Sequence, residues 1–182
     1  MMYHKATIIP TFTLILSIGL AESPQSPQRS ELSLPSAPRG QLSSTQGAPL
    51  SERNAIYSAA INYLYDKVYP TAGVKLIVIS NKTDDQQELK PQLNLKTKYE
   101  LASKNVLDDL LYNQDKDAFS RRYKTAPGYM VLSGISISAD GSQAELTIDL
   151  ECGFLCGTGR YFSLARAGGK WAVKEQKVTW QK

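Results

Sequence analysis

The hydrophobic positions of this chain follow two periods, and the clearer is the period of two in its last third. Tyr129, Val131, Ser133, Ile135 and Ile137 alternate with mostly polar neighbours, and Asp140-Gly141 then supplies a hairpin turn. The next segment sets Ala144, Leu146, Ile148 and Leu150 on one face against Glu145, Thr147, Asp149 and Glu151 on the other. A strand shows that alternation when one side packs and the other is wet. Tyr161, Phe162 and Leu164 follow a glycine-rich bend, and Gly168-Gly169 turns the chain again. Trp171 and Val173 then share a face, whereas Val178 and Trp180 have the opposite parity. An extra residue in a strand exchanges its faces, so a bulge is expected near Glu175 to Lys177. The whole segment reads as a four-strand meander.

Upstream the period lengthens. Ile56, Ala60, Leu64 and Val68 recur at helical spacing with Tyr57, Ile61 and Tyr65 beside them. Ser51 is placed to cap a helix beginning at Glu52, and Pro70 to stop it. Gly73 then opens an apolar, β-branched run from Val74 to Ile79 of strand length. Asn81 to Gln92 is polar and reads as loop. A second helix is expected over Tyr99 to Tyr112, with Leu101, Val106, Leu107, Leu110 and Leu111 on its buried side. Asn113 to Gly128 has no readable period; Phe119 and Tyr123 are its candidate anchors, and Pro127-Gly128 marks a turn. Helices followed by an antiparallel meander predict an α+β domain, with N-terminal helices packed on one face of a curved antiparallel sheet.

The N-terminal segment follows neither period. Lys5 precedes an apolar run from Ala6 to Leu20, and Gly19-Leu20-Ala21 places small residues before Glu22. That is the layout of a cleaved export signal, cut between Ala21 and Glu22. The run is roughly fifteen residues with Pro10 inside it, short of the ~20 that a spanning helix needs. No cysteine lies near the cut to carry a lipid. Residues 22–50 hold Pro24, Pro27, Pro35, Pro38 and Pro49 among Ser and Gln, and such a stretch cannot bury enough apolar surface to offset its ordering entropy. The expected organisation is a signal peptide over 1–21, a disordered linker over 22–50 and one α+β domain over 51–182. The last is about 130 residues, enough for a single core.

Composition narrows the chemistry. The only histidine of the 182 residues is His4, which leaves with the signal. A chain without imidazole has no Ser-His-Asp or Cys-His arrangement and no histidine metal ligand. Chemistry at neutral pH would then need a carboxylate, tyrosine or lysine with a displaced pKa. Asp149 and Glu151, two apart on one strand face, are candidates, but the alternation already accounts for them as the wet side of a sheet. Tyr57, Tyr63, Tyr65 and Tyr69 could line a pocket or simply belong to the core. Formal charge is +4, and +3 once Lys5 is removed. The basic residues are scattered, and the tightest group, Arg121-Arg122 with Lys124, sits beside Asp115 and Asp117. Nothing here has the footprint of a nucleic-acid interface. No phosphate-loop, dinucleotide or calcium-loop spacing occurs.

Cys152-Gly153-Phe154-Leu155-Cys156-Gly157-Thr158-Gly159 is the most distinctive segment. In a continuous strand, residues four apart lie ~13 Å apart, too far for a disulfide. Gly153, Gly157 and Gly159 instead argue for a tight corner that brings the sulfurs together, and export supplies an oxidising compartment. A Cys152–Cys156 disulfide is the expectation, contributing about 2 kcal/mol in the chain-entropy model because its loop is short. Three residues separate the cysteines where thiol oxidoreductases use two, and no helix follows. Two thiolates also make only half of a tetrahedral zinc set. No metal and no cofactor is expected.

The C-terminal half resembles an uncharacterised bacterial exported family. The residues that carry the likeness are Gln143-Ala144, the Cys152 to Gly159 segment, Tyr161, Leu164, Gly169-Lys170-Trp171, Val173 and Trp180. The resemblance implies a common fold and no established activity. Cone-like folds of the nuclear-transport-factor-2 (NTF2) or cystatin type share the order of elements by analogy. The functional expectation is an exported, periplasmic or secreted, non-enzymatic binding or envelope-accessory domain. Its partner would be a protein or a small apolar ligand, with no nucleic acid and no membrane after signal cleavage. Two alternatives stand beside it. One is an NTF2-like, ketosteroid-isomerase-like enzyme using a buried carboxylate and tyrosine. The other is an inhibitor or immunity protein presenting the Cys152 to Gly159 corner.

Overall fold

The computed structural model describes residues 42–44, 48–69, 73–90, 92–113, 115 and 117–182. Ala21, Glu22 and nearly all of the expected linker lie outside the described residues. Among those described, the elements run β1 (Leu42–Ser44), α1 (Leu50–Tyr63), β2 (Ile77–Ser80), β3 (Tyr99–Ala102), α2 (Lys104–Tyr112), α3 (Ala118–Arg122), β4 (Tyr129–Leu132), β5 (Ser136–Ser138), β6 (Gln143–Gly153), β7 (Cys156–Ala167) and β8 (Lys170–Gln181). The class is α+β. The strands form one sheet in the order β1-β5-β6-β4-β2-β3, with β7 on β6 and β8 outermost on β7.

The meander of β6, β7 and β8 is antiparallel, as its alternation requires. The other half of the sheet departs from the expectation. β2 pairs in parallel with both β3 and β4, so the sheet is mixed. The cause is visible in the composition of the two strands. Ile77-Val78-Ile79 and Tyr129-Met130-Val131-Leu132 are buried at every position, the pattern of strands covered on both faces. Ile77, Ile79, Met130 and Leu132 join the core beneath α1, with Ile56, Ile61 and Phe162. Val78, Tyr129 and Val131 face the other way, into a smaller core with Leu107 of α2, Phe119 of α3 and Tyr123 just after it. Helices therefore lie on both faces of the sheet rather than one.

Three local corrections follow. α1 begins at Leu50 with Pro49 at its N-cap and no side-chain cap, so Ser51 lies inside the helix. It runs on into a π turn, Leu64–Val68, closed by the Tyr69 amide donating to the Leu64 carbonyl at 2.8 Å. The expected second helix divides: Tyr99–Ala102 is a strand beside β2, and the helix starts only at Lys104. Within it Leu107 is fully buried, but Val106 points outward. Finally, the alternation from Tyr129 to Ile137 does not stay on one face. Leu132 opposes Ile148 while Ser136 opposes Glu145, a slip of one residue along β6. Ile135 and Leu132 thus share the α1 side, opposite Tyr129 and Val131. The slip is held by hydrogen bonds: the Tyr57 hydroxyl donates to the Ser133 carbonyl at 2.8 Å, and the Thr147 amide to Ser133 Oγ at 2.7 Å.

Candidate functional site

The inner face of the sheet, meaning the α1 side, is filled by Ala144, Leu146, Ile148, Phe162 and Leu164 along most of its length. Beyond Ile148 the packing thins, with Leu150 the last core residue of the strand, and a cavity of about 360 Å³ begins. Its floor is Leu150 and the same-face residues of β7, Thr158 and Arg160. Its roof is the end of the first helical arm. The π turn adds a residue to the helical cycle and carries Tyr65 and Tyr69 over the sheet end. π turns recur at functional sites. Val74 and Pro127 close the flank.

The far wall is the cysteine corner. β6 and β7 are joined at Gly153 and Cys156, with Phe154 and Leu155 as the two turn residues and a register shift between Glu151 and Gly153. Gly153 has φ +136°, a conformation that side chains disfavour. The corner brings the Cys152 and Cys156 Cα atoms to 5.1 Å with their sulfurs at disulfide distance, against the ~13 Å of a continuous strand. Both cysteines line the cavity. The tip itself is apolar and open: Phe154 is 72% and Leu155 92% exposed. Phe154 leans on the outer side against the Tyr112 ring, at 5.1 Å between centroids, whereas Leu155 borders the cavity.

Gly157 and Gly159 do a different job. They face outward, and the Trp180 indole lies on them. A Cβ on Gly159 would fall 2.1 Å from Trp180 Nε1, and one on Gly157 would fall 2.9 Å from the ring. The indole N–H then donates to Asp149 Oδ1 at 3.1 Å. Trp180 reaches this side because β8 carries two extra residues, not one. The register against β7 slips between Val173 and Glu175 and again between Val178 and Trp180. The first slip returns Val178 to the Trp171 face; the second sends Trp180 across the sheet. A single bulge at 175–177, the sequence expectation, would place them together; the second slip separates them.

The site's electrostatics are lopsided. No Asp or Glu side chain lines the cavity, and Arg160 stands in its floor. The Arg160 guanidinium sits 5.4 Å from the Tyr69 ring centroid, and its Nε donates to the Tyr69 hydroxyl at 3.4 Å. Lys182 also borders the cavity, but its ammonium is directed to Glu151 at 3.3 Å on the outer face. Burial pushes the Tyr65 phenol up to about 12, with Tyr69 adding to the shift. Tyr65 is therefore a neutral phenol at any physiological pH.

The sequence singled out carboxylate and tyrosine pairs, and the described residues contain three, all on the opposite face; one is Tyr161 with Glu145. The Tyr112 hydroxyl donates to Glu151 at 2.6 Å, and the Tyr129 hydroxyl to Asp108, itself bridged to Lys104 at 2.7 Å. Burial first, then the adjacent carboxylate, raises both phenols. Asp149 is raised by burial, with the Trp180 hydrogen bond opposing. These groups pin α2 and Trp180 to the sheet. None of them lines the cavity. No group of three or more His, Cys, Asp or Glu placed for a metal occurs among the described residues. Sequence reasoning missed Arg160 and Val74 as site residues. Arg160 carries one readable signal: it shares the parity of Phe162 and Leu164, which puts a cation on an inward face.

Comparison with protein-family models, with curated proteins and with solved structures finds no match for this chain.

Proposed function

We propose that this chain is an exported, non-enzymatic binding domain that holds a small apolar ligand between the first helical arm and the cysteine corner. The observation that carries the reading is the cavity of about 360 Å³ walled by Tyr65, Tyr69, Val74, Leu150 and the cysteine pair. Small-molecule sites are concave, mostly apolar and furnished with a few oriented polar groups, with volumes of about 300–1,000 Å³. The position of the tyrosine–carboxylate pairs weighs against an isomerase-like mechanism. A general base must come within hydrogen-bond reach of its substrate, and the carboxylates of these pairs lie across the sheet from the cavity. Export rests on the apolar N-terminal run and on a cysteine pair positioned to bridge, which an oxidising compartment would close.

A second reading is favoured by one observation. Phe154 and Leu155 project two large apolar side chains on a corner braced by the cysteines. That is a shape a protein partner could receive, as an inhibitor loop would be received. Native mass spectrometry of the domain isolated from its own envelope separates the two. A bound small molecule lost on Val74→Trp, which fills the cavity, is the expected result. A stoichiometric protein lost on Leu155→Ser, with no small molecule, would transfer the function to the tip.

A further inference from the structure

The cavity has one charged group with nothing to neutralise it. Among the described residues, Arg121, Arg122 and Arg166 each meet a carboxylate, at Asp115, Glu100 and Glu52, while Arg53, outside this cavity, meets only the Gln87 amide oxygen. Arg160 meets none. Its Nε is engaged by the Tyr69 hydroxyl, and its side chain is stacked on the Tyr69 ring, so the guanidinium is held rather than waving. The residue is half-buried in the sheet, directly opposite Ile148 on one neighbour and Val178 on the other. Taking a cation partly out of water without a counter-charge is costly. The two terminal nitrogens of the guanidinium form a planar fork suited to a carboxylate, and no hydrogen bond among the described residues occupies them.

We infer, building on the binding reading above, that the ligand is an amphiphile with a single anionic head, of the aliphatic or aromatic carboxylic acid class. The head sits on the Arg160 fork. The apolar body lies against Leu150, Val74, Tyr65 and Leu155. The lining explains the sign of the selectivity: an acidic side chain there would repel a carboxylate, and none is present. It also explains why Tyr69 is stacked. A guanidinium already oriented loses less freedom on receiving its partner.

The test compares dodecanoate, dodecan-1-ol and dodecylamine, below their micellar concentrations, by calorimetry on the mature domain. Dodecanoate is expected to bind about tenfold tighter than the alcohol, a difference of ~1.4 kcal/mol, and the amine more weakly than either. Arg160→Met should erase the preference and leave alcohol binding intact. Arg160→Lys should keep part of it, and Arg122→Met, which removes a cation outside the cavity, should change nothing. Unaltered melting temperatures show that the variants remain folded. Equal binding of acid and alcohol would overturn the anionic ligand class while leaving the cavity as a binding site. Failure of all three probes to bind would overturn the binding reading as well.

Discussion

Trp180 shows how one side chain accounts for several residues at once. Its indole needs two bare backbone positions beneath it, which are Gly157 and Gly159, and an acceptor for its N–H, which is Asp149. Gly159→Ala is expected to destabilise by about 1–3 kcal/mol, the usual cost of forcing atoms into a packed contact. The same change in a Trp180→Ala background should cost much less, because the clash has gone; equal costs in the two backgrounds, measured by denaturant unfolding, would show that Trp180 is not the reason for the glycine. Asp149 adds a pH dependence. Burial raises its folded pKa above the unfolded value, so ionising it opposes folding. Its contribution is most favourable below the ordinary aspartate range and declines as pH rises through the folded pKa. Asp149→Asn should therefore gain stability relative to the parent at pH 7 and lose that gain at pH 3. A constant difference between the two pH values would contradict the assignment. The paired roles of Gly157, Gly159 and Trp180 were not legible in sequence, because they depend on two bulges that parity alone reads as one.

At the scale of elements, legibility followed how local the governing interaction is. β6 was readable because its single wet face writes a period of two, and α1 because its apolar stripe recurs each turn. Tyr99–Ala102 fits a helix by its spacing but is a strand. Four residues with apolar Tyr99, Leu101 and Ala102 fit either period, and what decides is the distant partner β2. The same holds for the two-sided burial of β2 and β4: a continuous apolar run states that a strand is covered, not by which helices. The cysteine corner was readable from spacing and glycines alone. Cys152→Ser is expected to lower unfolding free energy by about 2 kcal/mol, the chain-entropy value for so short a loop, with the fold retained. Hydrogen exchange of the Gly153 to Gly157 amides should quicken while the Phe162 region is unaffected. Titration of two free thiols in the unreduced native protein would remove the bridge from the account.

For the whole molecule, the sheet has one end filled and the other hollow. α1 covers β6 and β7 as far as Ile148 and Phe162; past them, the π turn and the cysteine corner face each other across open space. On the reverse side, α2 and α3 cover β2 and β4, held by Tyr112 to Glu151 and Tyr129 to Asp108. The two faces thus divide the work: the reverse side spends its polar groups on one another, while the inner side keeps a cation uncommitted beside an apolar hollow. The hollow was not legible in the sequence, since its walls come from segments far apart in the chain, Tyr65, Val74, Pro127 and the Leu150 to Arg160 hairpin. The most direct measurement is residue-level NMR mapping with saturating dodecanoate. The expected shift changes cluster at Tyr65, Val74, Leu150 and Arg160. Changes confined to Phe154 and Leu155, or to the Trp180 face, would contradict a ligand site inside the cavity.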